Sequence, residues 1–133
     1  MRNDNEKKKT IIILFCIIIL ICIGIRLASN VLVNHANSIS ISSPNMENVE
    51  NGTYIGEYSC TPVHVKVEVT IKNHKFTNIT ILEHANGLGN SAESVTGDIV
   101  KNQSLDVDTV SGATVSSKCI LKAVENAIER GND

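Results

Sequence analysis

The sequence has no CxxCH haem-attachment run, no cysteine series for an iron–sulfur cluster and no GxGxxG dinucleotide fingerprint. Three common ways of carrying a redox or nucleotide cofactor are thereby excluded. The four cysteines, Cys16, Cys22, Cys60 and Cys119, lack the CxxC or histidine spacing of a metal site. Basic residues are not in excess either: 12 Lys and Arg stand against 14 Asp and Glu, and from Asn51 onward the balance is seven to ten. Such a chain offers no basic face to nucleic acid. There are no internal repeats, and 133 residues leave room for one domain at most.

Charge is missing altogether from Ile11 to Ile25, IIILFCIIILICIGI, which also lacks proline. At ~1.5 Å per residue this run spans roughly 22 Å, short of a ~30 Å hydrocarbon core. Two flanking features make up the difference. Lys7, Lys8 and Lys9 can snorkel, and Leu27, Ala28 and Val31 to Val33 continue the apolar pattern past Arg26. A cleaved signal peptide is the alternative, but no clean small-x-small site follows, and Cys22 follows the bulky Ile21 where a lipoprotein site wants a small residue. Residues 11–33 are therefore read as an uncleaved transmembrane anchor after a cytoplasmic stretch, 1–10. Four of the five basic residues outside the domain precede the run, which predicts the N-terminus inside and the rest outside. Cys16 and Cys22 read as small apolar residues of the anchor. An oxidising exterior would permit a bridge between Cys60 and Cys119; free, partly buried thiols are the plainer alternative.

Residues 34–50 are rich in Ser and Asn and poor in large apolar side chains, the composition of a linker or stalk, disordered or extended. A domain over 51–133 follows. Its first strand, Gly52 to Ser59, is weakened at Gly56, where a bulge or a close backbone approach is expected. Val63, Val65, Val67, Val69 and Ile71 then alternate with His64, Lys66, Glu68, Thr70 and Lys72, a half-buried strand. Asn73 and His74 suit a tight turn, and the return strand, Phe76 to Leu82, places Ile79 and Ile81 opposite in facing to Asn78 and Thr80. One hairpin face is core and one is wet.

After a glycine-bearing loop, 83–90, the apolar positions Ala92, Val95, Ile99 and Val100 take helical spacing, with Ser91 as N-cap and Gly97 shortening or interrupting the helix. A short extended piece, Leu105 to Val110, leads to Ser111-Gly112-Ala113-Thr114. Beyond it, Cys119, Ile120, Ala123, Val124, Ala127 and Ile128 form an apolar stripe, with Lys118, Lys122, Glu125, Glu129 and Arg130 expected to face out. The fold class is α+β: a small antiparallel sheet with a hairpin core, covered by two helices and preceded by one transmembrane helix.

Ser-Gly-Ala-Thr at a helix entrance has two readings. A glycine and small neighbours admit another molecule to the backbone, the free N–H groups suit a phosphate, and a threonine hydroxyl there is a phosphoester attachment point. Equally, Thr114, Ser116 or Ser117 caps the helix. Context favours the first. Asp108-Thr-Val-Ser-Gly-Ala-Thr114 has the form D-x-x-S-G-A-T. It resembles the attachment motif of FMN-binding domains, as found in the C-type subunit of sodium-pumping quinone reductases and the G-type subunit of Rnf complexes. Gly52-Thr53-Tyr54, Leu82-Glu83-His84, Gly87-Leu88-Gly89 and Gln103-Ser104-Leu105-Asp106-Val107-Asp108 extend the likeness across the domain. Relatives often carry Thr-Pro before Gly-Leu-Gly, where this chain has Ala85-Asn86.

The resemblance implies FMN held covalently on Thr114 by a flavin transferase that takes it from FAD. Ser111, Gly112 and Ala113 would clear space for the phosphate and ribityl chain. Asp108 would help the transferase recognise the motif, and Gly87, Leu88 and Gly89 would line the isoalloxazine. Glu83 and His84 either approach that loop or are merely solvated at a strand end. Asp106 and Asp108 read as strand-edge charges rather than an acid–base pair. The three glycosylation sequons, at Asn51, Asn78 and Asn102, read as chance matches. The expected function is an electron carrier on the outer side of a cell membrane, between a membrane donor and an extracytoplasmic acceptor. Its rivals are an unflavinylated sensor or scaffold of the same fold and an FMN-dependent reductase subunit.

Overall fold

The computed structural model describes the backbone of residues 2–85 and 90–132. It divides into two units, Met1–Asn34 and His35–Asp133. The first is the apolar part of a single helix, α1 (Arg2–Asn37), longer at both ends than the 11–33 expected. Between Ile11 and Leu32 its large apolar side chains are open on every side, from Leu32 at 38% to Val31 at 69% exposure. Within Asn5–Asn37 an 18-residue stretch reaches a mean hydropathy of 3.1, and the helix is long and apolar enough to cross a membrane.

The second unit is built on three antiparallel strands in the order β1 (Gly52–Cys60), β2 (Val63–Lys72) and β3 (Lys75–Ala85). The alternating run of β2 behaves as its period requires: Val63, Val65, Val67, Val69 and Ile71 are all at most 5% exposed. Asn73 and His74 both adopt positive φ, 52° and 59°, which gives the two-residue turn the twist that matches its strands. The return strand is longer than expected and carries two irregularities, between the pairs Thr70↔Asn78 and Ile71↔Phe76 and between Lys66↔Glu83 and Val67↔Ile81. Each inserts one residue, Thr77 or Leu82, so Phe76, Ile79, Ile81 and His84 all fall on the inner face.

Two helices cover that face. Residues 90–94 form a 3-10 turn and α2 begins only at Val95, running to Asn102, so Ser91 does not cap it. Helix α3 (Thr114–Glu129) lies on β1 and β2. It comes down onto the sheet at Gly56, where a Cβ would collide with the Ala123 carbonyl and stand 2.5 Å from the Ala127 nitrogen. Close backbone approach, not a bulge, is the reason for this glycine. Both sheet edges are guarded by side chains. Asn126 and Arg130 donate to the Glu57 and Ile55 carbonyls of β1 at 2.9 and 3.0 Å. Gln103 accepts from the Phe76 N–H and donates to the Phe76 carbonyl of β3 at 2.9 and 2.8 Å.

Two expectations change. Glu125 was placed on the outer face of the last helix, yet it is 2% exposed. Its carboxylate accepts from the Lys122 ammonium at 2.7 Å and from the Ser42 N–H at 3.1 Å, which satisfies a charge that burial would otherwise penalise. Ser42 belongs to the segment read as a stalk, and this segment packs on the domain. Val49 is fully buried, Ile39, Ile41 and Met46 lie against the core, and His74 Nδ1 sits 3.1 Å from the Met46 carbonyl.

Candidate functional site

The site is the chain between α2 and α3 together with the first turn of α3. Ser104 Oγ accepts from the Asp106 N–H at 3.0 Å and Leu105, 4% exposed, plugs the core. Val107 and Val110 are partly buried, while Asp106 and Asp108 point to solvent. The chain then turns through the exposed Ser111 and Gly112, whose φ of 79° is open to glycine at little cost. Among the described residues, nothing beyond its chain neighbours lies within 4 Å of a Cβ built at Gly112, so its conformation sets the requirement. The Ala113 N–H returns to the Val110 carbonyl at 2.9 Å. Ala113 itself is 5% exposed and faces the core, where open space for a ligand was expected of it.

Ser117 holds this turn against the helix. Its hydroxyl, fully buried, accepts from the Val110 N–H at 3.0 Å and donates to the Ala113 carbonyl at 2.9 Å. Sequence alone left Ser117 as one of three possible caps; it is a brace between the first turn of the helix and the loop before it. Ser117→Ala orphans the Val110 N–H and is expected to cost about 1–2 kcal/mol. A melting curve measures that loss.

Thr114 opens α3 and is half-buried. Its hydroxyl makes no hydrogen bond with any described residue, so it does not cap the helix. The Ser117 N–H is the first to find a helical partner, the Ala113 carbonyl at 2.9 Å. The N–H groups of Thr114, Val115 and Ser116 are left for an outside acceptor, and the first turn carries no acid. A phosphate oxygen fits this arrangement: three free donors, the positive end of a 16-residue helix and an unengaged hydroxyl beside them.

The position of this helix end follows from its contacts. The Cys119 sulfur lies 3.6 Å from the Tyr58 carbonyl and 3.8 Å from that of Val63, and further along Asn126 and Arg130 meet Glu57 and Ile55. Helix α3 thus runs antiparallel to β1 and starts at the sheet end where β1 turns into β2. Strand β3 finishes at the same end, with Ala85 opposite His64. The expected ring-lining residues Gly87, Leu88 and Gly89 follow Ala85 and lie outside the described residues. His84, weighed as a solvated strand end, is buried: its side chain is 3% exposed and Nδ1 lies 3.0 Å from Glu93 Oε1. The β-bulge at Leu82, invisible in a period-two reading, turns this imidazole inward.

Among the described residues, two grooves border the loop. One, of about 230 Å³, is lined by Ile41, Ser43, Leu105, Asp106, Val107, Lys118 and Leu121. The other, of about 560 Å³, is lined by Asp98, Asn102, Asp106, Val107 and Asp108 and is too acidic to attract a phosphate. No cluster of three or more His, Cys, Asp or Glu suited to a metal occurs among the described residues.

Cys60 and Cys119 are free buried thiols. Burial pushes Cys119 up from 9.0 to about 12, with Cys60 adding to the rise and a Cys60 backbone contact opposing it. Burial alone raises Cys60. Both therefore stay protonated in the fold after an unfolded thiol has ionised. Their contribution to stability is whole below pH 9.0 and is lost as pH climbs toward about 12. The melting temperature of the wild type should fall across that window, and more shallowly for Cys119→Ala.

A two-layer α+β domain that presents an unengaged hydroxyl and free amides at a helix start has the chemistry to receive a phosphate there. The sequence model of the FMN-binding domain matches residues 62–129, half of the chain, and the chain belongs to the FMN-binding domain family. Two curated relatives share this part. An NADH:acrylate oxidoreductase of Vibrio harveyi is 36% identical over 66 residues, covering 47% of this chain and 7% of that protein. A urocanate reductase of Eggerthella lenta is 42% identical over 66 residues, covering 47% of this chain and 11% of that protein. The chain thus spans about a tenth or less of the length of the relatives it matches.

Proposed function

We propose that the chain is a membrane-anchored, extracytoplasmic electron carrier with FMN attached through a phosphoester to Thr114. The observation that carries this reading is the Thr114 hydroxyl, half-buried at the start of α3 and bonded to no described residue. A hydroxyl kept there without a structural partner suits a covalent anchor. In maturation, Thr114 Oγ1 forms a bond to the flavin-side phosphorus of FAD, the bond to AMP breaks, AMP leaves, and the hydroxyl proton passes to the flavin transferase. The amides of Thr114, Val115 and Ser116 then hold the phosphodiester oxygens. Gly112 and Ser117 fix the turn that aims them. The exposed Asp108 and Ser111 are available for the transferase to read. Bound FMN supplies one- and two-electron transfer, and the protein supplies position and electrostatics.

Lys7, Lys8 and Lys9 before the apolar run of α1 orient the domain to the outer side, where a dissociating flavin would be lost by dilution. Similarity to parts of two larger oxidoreductases favours a reductase as the acceptor. The test is coexpression of the full chain with a flavin transferase. Denatured protein should fluoresce yellow, and its intact mass should rise by one FMN less one water. An unmodified polypeptide overturns the proposal, as does protease mapping that leaves the C-terminal domain in the cytoplasm. Turnover of a small acceptor by the flavinylated chain alone would shift the reading to a reductase.

A further inference from the structure

Lys118 stands four residues after Thr114 on α3, so the two share one face of the helix. A helical side chain leans back toward the N-terminus, which directs the Lys118 stem to the turn that Thr114 opens. The side chain is half-buried along the groove formed with Leu105, Val107 and Leu121. Its ammonium makes no ion pair among the described residues, although Asp106 lines the same groove. The next lysine of α3 is already committed, since Lys122 holds Glu125 at 2.7 Å. A cation on a half-buried side chain, without an ion pair among the described residues and one turn from a hydroxyl read as a phosphate anchor, is complementary to a single negative charge placed there.

We infer that Lys118 is the counter-ion of the flavin phosphodiester, a positioning residue that pairs with the anion once Thr114 carries it. This rests on the attachment proposed above. Thr114 and the free amides fix one side of the phosphate, and Lys118 closes the other from the groove. The pairing neutralises the anion beside the buried core and holds the start of the ribityl chain against the helix.

The test is lysine footprinting of the full chain in detergent, made with and without a coexpressed flavin transferase. Both preparations are labelled with N-hydroxysuccinimide acetate, and each lysine is quantified by peptide mass spectrometry, with Lys66 and Lys101 as internal references. Lys118 should be acetylated about fivefold more slowly in the flavinylated protein at low salt, and the protection should shrink below about twofold in 1 M salt, where the Debye length is ~3 Å. Simple coverage by the flavin would persist in salt, so salt-independent protection overturns the ion pair. Equal labelling in both preparations overturns it too. If the peptide bearing Thr114 carries no flavin after coexpression, the attachment itself has failed, and the lysine's role falls with it.

Discussion

Thr114→Val gives a folded, colourless protein. After coexpression with a flavin transferase the wild type should carry one FMN per chain in the peptide containing Thr114, and the valine variant none. Fluorescence under denaturing electrophoresis should vanish completely, because no other hydroxyl at this helix start offers the same access. Ser116 is 3% exposed and Ser117 fully buried and engaged on both sides. Ser111 is exposed and stands before the glycine turn, outside the three free amides. Stability should change by no more than about 0.5 kcal/mol, since the lost hydroxyl bonds no described residue and valine keeps the shape. Thr114→Ser, which restores the hydroxyl, should recover most of the flavin. Covalent flavin on the valine variant, mapped to Ser111, would place the anchor on the wrong side of the turn.

What could be read from the chain and what could not divides along physical lines. The five apolar positions of β2 stand out because a half-buried strand imposes its period on consecutive residues, and each of them is in the core. Asn73 and His74 mark their turn because few residues tolerate positive φ. Glu125 was misplaced for the opposite reason. On a helical wheel a carboxylate signals solvent, and a partner 83 residues away, the Ser42 N–H, which joins Lys122 in satisfying it, is not visible there. The same long-range contact hides the docking of the 34–50 segment, whose few apolar residues, Ile39, Ile41, Met46 and Val49, show no period but meet a prepared surface. At the site, the hydroxyl and the glycine turn lie in one short motif and are legible as such. Ser117 and His84 are not, because a hydroxyl that bridges two backbone groups and an imidazole turned by a bulge depend on local geometry that spacing does not encode.

Gly56→Ala should be the most damaging single-methyl change in the domain, although Gly56 lies in a strand far along the sequence from the motif. A β-carbon there collides with the Ala123 carbonyl, 2.5 Å from the Ala127 nitrogen and 2.8 Å from its Cβ. Two of these three atoms are helix backbone, which cannot swing aside as a flexible side chain would. Overpacking of this kind commonly costs about 1–3 kcal/mol, and rigid partners place it at or above the upper end. For a domain of this size roughly 3 kcal/mol lowers the melting temperature by more than about 10 °C. Relief requires α3 to lift from β1, and the strain then reaches the site. The Asn126 and Arg130 bonds to β1, at 2.9 and 3.0 Å, and the Cys119 contacts at the sheet end all depend on that spacing. Flavin incorporation should therefore fall with stability in Gly56→Ala, whereas Thr114→Val loses flavin and keeps its melting point. Gly97→Ala serves as the control, because among the described residues nothing outside its own stretch of helix lies within 4 Å of a β-carbon there, and the change favours the helix. If Gly56→Ala melts like the wild type, α3 does not rest on β1 as closely as described, and the start of α3 loses the support that places Thr114.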